Sequence, residues 1–192
     1  MATVITIAGK AEAGKDTVAK MIKVALTEKG KKVCIIHFAD YLKFACEKYL
    51  GWDGIKDSAG RTLLQYEGTD YVRQRDFDFW IKIVDLFICM YKERFDYFII
   101  PDARFPNECD WFKYHKDINS VTVRVVRLEY ENSLTEDQKK HYSETALDNY
   151  AFNSEIRSRS GMQFLEKVVL AWVETFSLTL GGDLYEKNTC NI

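Results

Sequence analysis

The stretch Val4-Ile5-Thr6-Ile7-Ala8-Gly9-Lys10-Ala11-Glu12-Ala13-Gly14-Lys15-Asp16-Thr17 decides the class of fold. Its first five residues form a short, nearly continuous apolar run, the mark of a strand covered on both faces. The next part has the spacing G-x-x-x-x-G-K. Glycines there let the backbone curl until several N–H groups converge on one phosphate. Val18, Met21, Ile22, Ala25 and Leu26 then share one face of a helix, which Lys29-Gly30-Lys31-Lys32 stops. Strand, loop and helix in that order are the context a phosphate-binding loop requires. The helix adds its positive N-terminal end, and Lys15 is placed to neutralise the outer phosphates of a triphosphate. Gly9, Ala11, Ala13, Gly14, Lys15, Asp16, Thr17 and Val18 are therefore the candidate contacts to ATP. The motif ordinarily puts Ser or Thr directly after the lysine to hold Mg²⁺. Here Asp16 takes that place and the hydroxyl follows at Thr17. Asp16 either helps bind the metal, receives a proton from an acceptor, or simply complements the helix dipole.

Outward from this loop, the chain reads as one domain spanning 1–192. Hydrophobic residues make up 47% and charged residues 29%, an ordinary globular balance. A formal net charge of −2 gives no basic surface for a nucleic-acid polymer, whereas a small anion needs only a local positive pocket. No apolar run approaches the roughly 18 residues of a membrane span, and no secretion signal is apparent. Cys34, Cys46, Cys89, Cys109 and Cys190 contain no C-x-x-C pair. They are expected to be reduced and mostly buried in a cytoplasmic protein, and their spacing suggests no metal site.

Further buried strands are expected over 33–38, 97–100 and 121–127, with a fifth over 152–156. Helical periodicity covers 41–50, 61–74, 78–94 and 162–179. This alternation predicts a three-layer α/β fold with a parallel, helix-flanked sheet of about five strands. In such folds ligands bind beyond the carboxyl ends of the strands, so the chemistry is sought there. Asp40 and Lys43 follow the second strand, although Asp40 also suits a helix cap. Arg61, Gln65, Arg73 and Trp80 come next, and arginine forks match phosphate oxygens. Asp102 ends the third strand, followed by Arg104 and Glu108. It is placed either to orient Mg²⁺ or to pair with Arg104. Pro101 suits the strand if the ladder stops there and the chain bends into the site. Arg127 ends the fourth strand. The polar segment over about 128–148, with Glu144, reads as a lid over the phosphates or as a solvated loop. Arg157 and Arg159 lie where adenine or phosphate contacts are sought.

Together these residues resemble the deoxynucleoside monophosphate kinases of bacteriophages and their relatives, over about 3–170. The resemblance rests on the loop 9–17, Phe38-Ala-Asp-Tyr-Leu-Lys43, Arg61-Thr-Leu-Leu-Gln65, Gly68-Thr-Asp-Tyr-Val-Arg73 and Trp80. It continues through Asp102-Ala-Arg-Phe-Pro-Asn-Glu108, His141-Tyr-Ser-Glu144 and Leu147-Asp148. Adenylate-kinase-type enzymes likewise carry the loop hydroxyl one position late. The resemblance implies a P-loop kinase fold with a short lid and transfer of the γ-phosphoryl of ATP to a deoxynucleoside monophosphate with Mg²⁺. The acceptor is expected within 40–94 and 102–108. In role terms, Lys15, Asp16, Asp102, Arg104 and Arg127 become candidate catalytic residues. Asp16, Thr17 and Asp102 become candidate metal ligands, and Arg157 an ATP contact. Asp40, Lys43, Arg61, Gln65, Arg73, Trp80, Arg104, Glu108 and Glu144 become acceptor contacts. The chain departs from the family at Pro101 and Ala103, and again where Arg157-Ser-Arg-Ser-Gly161 replaces an Asn-x-Gly turn. The partners expected are small nucleotides, with neither polymeric nucleic acid nor membrane. The apolar stretch 77–91 suits a homodimer interface. The expected location is the cytoplasm, of the host if the chain is phage-encoded. Two alternatives share part of the pattern: a phosphomevalonate-kinase-like enzyme, with a similar Gly-Lys-Asp loop, and a nucleotide-binding switch without an acceptor.

Overall fold

In the structure, a computed structural model, β1 (Ala2–Ala8) is buried at every position. Residues 1–128, 130–159 and 161–181 are described, so Glu129, Ser160 and Cys190 of the sequence reading lie outside the described residues. Side chains alternate across a strand, and β1 accordingly feeds two cores. Ile5 and Ile7 enter one, Val4 and Ala8 the other. After the loop come α1 (Lys15–Glu28), β2 (Val33–Ile35), α2 (Asp40–Tyr49) and α3 (Ser58–Gln65). The chain continues through a π-helical turn (Tyr66–Tyr71), α4 (Val72–Arg75), α5 (Phe79–Tyr91) and β3 (Tyr97–Ala103). Next are α6 (Pro106–Asp110), a 3₁₀ turn (Trp111–Tyr114) and β4 (Ile118–Arg127). The last elements are α7 (Glu136–Lys140), α8 (Tyr142–Thr145), β5 (Ser154–Ser158) and α9 (Met162–Gly181).

The five strands form one sheet in the order β2-β3-β1-β4-β5, and every pairing is parallel. Val18, Ile22 and Leu26 of α1 and Val169, Val173 and Phe176 of α9 close one face. Leu42 and Cys46 of α2, with Trp80, Ile81, Val84 and Ile88 of α5, close the other. This is the three-layer α/β arrangement expected from the sequence, a parallel sheet with helices on both faces. The chain runs outward from β1 to one side and then returns to lay β4 on its other side. The crevice where that order reverses is the ligand position of such sheets.

Three departures from the sequence reading shape that crevice. The ladder does not stop at Pro101. Pairing of β1 with β3 slips between Thr6↔Ile100 and Ala8↔Ala103, so Pro101, which has no N–H to donate, sits in a bulge and the strand resumes beyond it. β2 stops at Ile35 instead of reaching 38, because the amides of Phe38 and Ala39 go to the Asp102 carboxylate at 2.9 and 3.0 Å. The helix expected over 61–74 is broken by the π turn. At its buried Gly68 a Cβ would stand 2.7 Å from Leu42 Cδ2, and the Gly68 carbonyl accepts a 2.8 Å bond from the Trp80 indole. The short α6 went unread in the sequence. It starts at Pro106, and the Glu108 carboxylate accepts the amides of Arg104 and Phe105. Of the cysteines, Cys46 and Cys109 are buried, Cys34 is partly buried and Cys89 is exposed. No helix among the described residues is long and apolar enough to cross a membrane.

Gly9 fixes the loop against the sheet. Its φ is 150°, and a Cβ there would lie 2.5 Å from the Val125 carbonyl oxygen of β4. Gly9→Ala is expected to lower stability by about 1–3 kcal/mol, read from denaturant midpoints. An unchanged midpoint would contradict the close approach.

Candidate functional site

The loop between β1 and α1 is shaped by positive φ at Gly9, Glu12 and Gly14 (150°, 62° and 93°). For Glu12 the left-handed conformation costs about 1–2 kcal/mol, which its side-chain contacts offset. Its carboxylate accepts Arg61 Nη2 at 2.8 Å, the Ser133 amide at 2.9 Å and the Ser133 hydroxyl at 2.5 Å. One residue of the loop thus ties α3 to the segment after β4. Those bonds, led by Ser133, hold its carboxyl below the usual range.

Lys15 is buried and folds back on its own loop. Its ammonium donates to the carbonyls of Gly9 and Lys10, both at 2.9 Å. Burial, aided by the Arg104 charge, pulls its pKa down to about 7, and nearby Glu144, Asp102 and Asp16 only partly oppose that. Beside it, Asp16 in the first turn of α1 meets His37 Nε2 at 2.9 Å, while His37 Nδ1 lies 3.3 Å from Asp40. The hydrogen bond to Asp16, then that to Asp40, raises His37 to about 9. An imidazolium therefore bridges α1 and α2 at neutral pH, and its charge lowers both carboxylates.

A cavity of about 400 Å³ opens from the loop. Ala11, Glu12, Lys15 and Asp16 stand at one end, and its walls carry Lys43, Lys56, Arg61, Gln65, Arg73, Trp80, Asp102, Arg104, Glu108 and Glu144. Six lysines and arginines face five carboxylates, all of which are engaged. Glu12 holds Arg61, and Asp16 holds His37. Asp102 accepts the two backbone amides of Phe38 and Ala39. Glu108 is fully buried with Arg73, whose guanidinium also donates to the Phe77 carbonyl at 2.9 Å and lies 4.3 Å over the Phe105 ring. Burial pushes the Glu108 carboxyl up against the pull of Arg73. Glu144 pairs with Arg104 and accepts the Ala11 amide at 3.1 Å.

The segment around Glu144 covers the loop at several points. The Tyr130 hydroxyl donates to the Ala11 carbonyl at 2.8 Å, and Lys10 reaches the Glu144 carbonyl at 2.6 Å and the Asp148 carboxylate. His141 stands 3.6 Å from Asp70, in the π-helical turn.

Most residues singled out in the sequence thus meet at one cavity, but not all. Gly9, Ala13, Gly14, Thr17 and Val18 form the loop and helix start behind it. Asp40 is exposed and turned to His37 and Lys43. Arg127 is exposed, its guanidinium 5.2 Å over the Tyr130 ring, outside the cavity wall. Arg157 is exposed and paired with Glu155 at 2.6 Å. Asp102 has each oxygen on a backbone amide and so staples β3 to the loop after β2 while lining the cavity. Glu12, His37, Lys56, Tyr130 and Ser133 were missed as site residues. His37 was within reach of the sequence, since it stands three residues before Asp40 at the carboxyl end of β2. The Glu12–Ser133 bond joins distant segments and left no local signal.

No family model matches the chain, and no curated protein does. Solved structures do match along nearly the whole length. A mutant of the APS kinase CysC of Mycobacterium tuberculosis is 14% identical, with 94% of this chain and 98% of that one covered and a TM-score of 0.48. A shikimate kinase from Bacteroides thetaiotaomicron is 13% identical, with 91% and 98% covered and a TM-score of 0.49. The same APS kinase in complex with AMPPNP and APS is 12% identical, with 94% and 98% covered and a TM-score of 0.46.

The depressed Lys15 pKa has a measurable consequence. At pH 8 the free lysine is mostly neutral, and a bound triphosphate restores its charge. Binding of a triphosphate at pH 8 is expected to take up close to one proton more in the native chain than in Lys15→Arg, with the difference vanishing below about pH 6. Calorimetry in buffers of different ionisation enthalpy reads this directly, and equal uptake by the two chains would contradict it.

Proposed function

We propose that this chain is a phosphotransferase that moves the γ-phosphoryl group of ATP to a deoxynucleoside monophosphate. One observation carries the reading: a single cavity joins the phosphate loop to a cationic wall, and every carboxylate lining it among the described residues is already engaged. A hydroxyl acceptor needs a base to take its proton. A phosphate monoester does not, because its second ionisation, near pKa 6, leaves a dianion at neutral pH. A site rich in cations, in which each carboxylate already holds a partner, therefore suits a phosphate acceptor. The nucleotide part of the proposal draws on the resemblance carried by Gly68-Thr-Asp-Tyr-Val-Arg73 and Asp102-Ala-Arg-Phe-Pro-Asn-Glu108.

In this account the amides of the 9–17 loop and Lys15 hold the donor phosphates, with Lys15 exchanging the carbonyls of Gly9 and Lys10 for phosphate oxygens. Arg61 exchanges Glu12, which keeps its two Ser133 bonds, for the acceptor phosphate, while Arg104 stays on Glu144 and Arg73 on Glu108, each offering its remaining N–H groups. An acceptor phosphate oxygen attacks the γ-phosphorus in line, the bond to the β–γ bridging oxygen breaks, and ADP leaves. Positioning and charge neutralisation supply the rate. The segment 128–148 acts as the lid that excludes water. Asp16 and Thr17, hard oxygen donors in the first turn of α1, suit Mg²⁺. When bound, the ion neutralises charge on the donor phosphates, with Asp102 supporting the site from behind.

An ATP-to-ADP assay across ribo- and deoxynucleoside monophosphates, with mevalonate phosphate and shikimate as controls, tests the reading. Turnover is expected with deoxynucleoside monophosphates, reduced by about 100-fold or more in Lys15→Ala. Turnover with a control acceptor alone, or near-normal turnover in the variant, would overturn it.

A further inference from the structure

Away from the cavity, α5 presents Asp85 and Cys89 one turn apart, and the chain beyond the 3₁₀ turn brings His115 to them. The Cys89 thiol donates to Asp85 Oδ1 at 3.6 Å, and His115 Nε2 lies 3.6 Å from the same oxygen. One ligand atom from each residue falls within 4.8 Å of the others. Asp85 and His115 are partly buried and Cys89 is exposed, so the cluster is held on one side and open to solvent on the other.

From these positions we infer a second ligand site in this chain: a Cys89–His115–Asp85 centre for a borderline divalent transition ion of the Zn²⁺ class, distinct from the phosphate site. The spacing supports it. Bonds of about 2.3 Å to sulfur and 2.0–2.1 Å to nitrogen or oxygen, at tetrahedral angles, set neighbouring ligand atoms about 3.3–3.6 Å apart. Two separations stand at 3.6 Å, at the upper end of that range, and the third lies within 4.8 Å, so a small movement of the side chains closes the set. The donor set also discriminates. Thiolate and imidazole favour Zn²⁺ and its neighbours over Mg²⁺ or Ca²⁺, which take oxygen. Three protein ligands leave the fourth position to water, on the open side. The i,i+4 spacing on a helix puts Asp85 and Cys89 on one face, and His115 completes the set from a different element, which is why the cysteine spacing in the sequence concealed it.

Binding breaks the Cys89 S–H bond and forms a sulfur–metal bond, and the proton leaves to solvent. The Asp85 oxygen that accepted the thiol's hydrogen bond turns to the ion, and His115 binds as neutral imidazole through Nε2. The ion clips α5, whose first turn supplies Trp80 to the cavity wall, to the turn that follows α6, which supplies Glu108. Its effect is on the rigidity of the acceptor side and not on the chemical step.

The test is a Co²⁺ titration of the reduced chain with excess Mg²⁺ present, read by absorption and followed by Zn²⁺ displacement. One equivalent of Co²⁺ is expected to produce a sulfur-to-metal charge-transfer band and tetrahedral visible bands, which Zn²⁺ abolishes. Cys89→Ser should remove the charge-transfer band, and His115→Gln should weaken binding by about tenfold or more. Zn²⁺ should raise the unfolding midpoint of the native chain and not that of Cys89→Ser, a substitution at an exposed position that leaves the fold intact. Absence of the band at saturating Co²⁺, or its survival in Cys89→Ser, would overturn the proposal.

Discussion

The arrangement depends on a buried ammonium that has no carboxylate of its own. Lys15 is held by two carbonyls of the loop that precedes it. Burial costs a cation more than two neutral acceptors return, and its pKa falls accordingly. The loop is kept open around it by Gly9, pressed against the Val125 carbonyl, and by the left-handed turn at Glu12. Such a group is poised for anionic ligands, because a polyphosphate relieves the penalty that the fold imposes. The sheet order places this tension at the crevice between β3, β1 and β4.

Around that lysine, cations and carboxylates pair in a way that links the parts of the site. Arg61 with Glu12, and Arg104 with Glu144, each join an arginine of the cavity wall to the phosphate loop or to the segment covering it. Arg61 with Glu12 is partly exposed on both sides and worth little as stability, so Arg61 can exchange Glu12 for phosphate oxygens at small cost, whereas Glu144 is itself nearly inaccessible and keeps Arg104. Arg73 with Glu108 is different. Both side chains are nearly inaccessible, at 6% and 2%, and leaving either unpaired in the core is expensive. That pair shapes the wall, while Arg61 with Glu12 is the pair best able to change partners. His37, charged between Asp16 and Asp40, performs a similar linking task between α1 and α2.

The fold was largely legible because its signals are local. Apolar runs at β1, β3 and β4 and the periodic faces of α1, α5 and α9 mark covered strands and amphipathic helices directly. The phosphate loop was legible because glycine spacing and context coincide. What escaped was set by contacts between distant segments. The shortening of β2 follows from Asp102 taking two of its neighbours' amides. The break in the helix at Gly68 follows from the Leu42 side chain above it and the Trp80 indole on its carbonyl. Arg127 and Arg157 suited phosphate contacts by position near strand ends, but both are exposed outside the cavity wall, beside Tyr130 and Glu155. Glu12, the residue that ties the site together, carries no sequence mark beyond lying between two glycines.

The most direct test of the account is a crystal structure with a non-hydrolysable ATP analogue and a deoxynucleoside monophosphate. The account predicts the analogue's β- and γ-phosphates within the 9–17 loop, Lys15 moved from the carbonyls of Gly9 and Lys10 onto phosphate oxygens, and Arg61 and Arg104 on the acceptor phosphate. An empty loop at saturating analogue, with Lys15 still on those carbonyls, would contradict it.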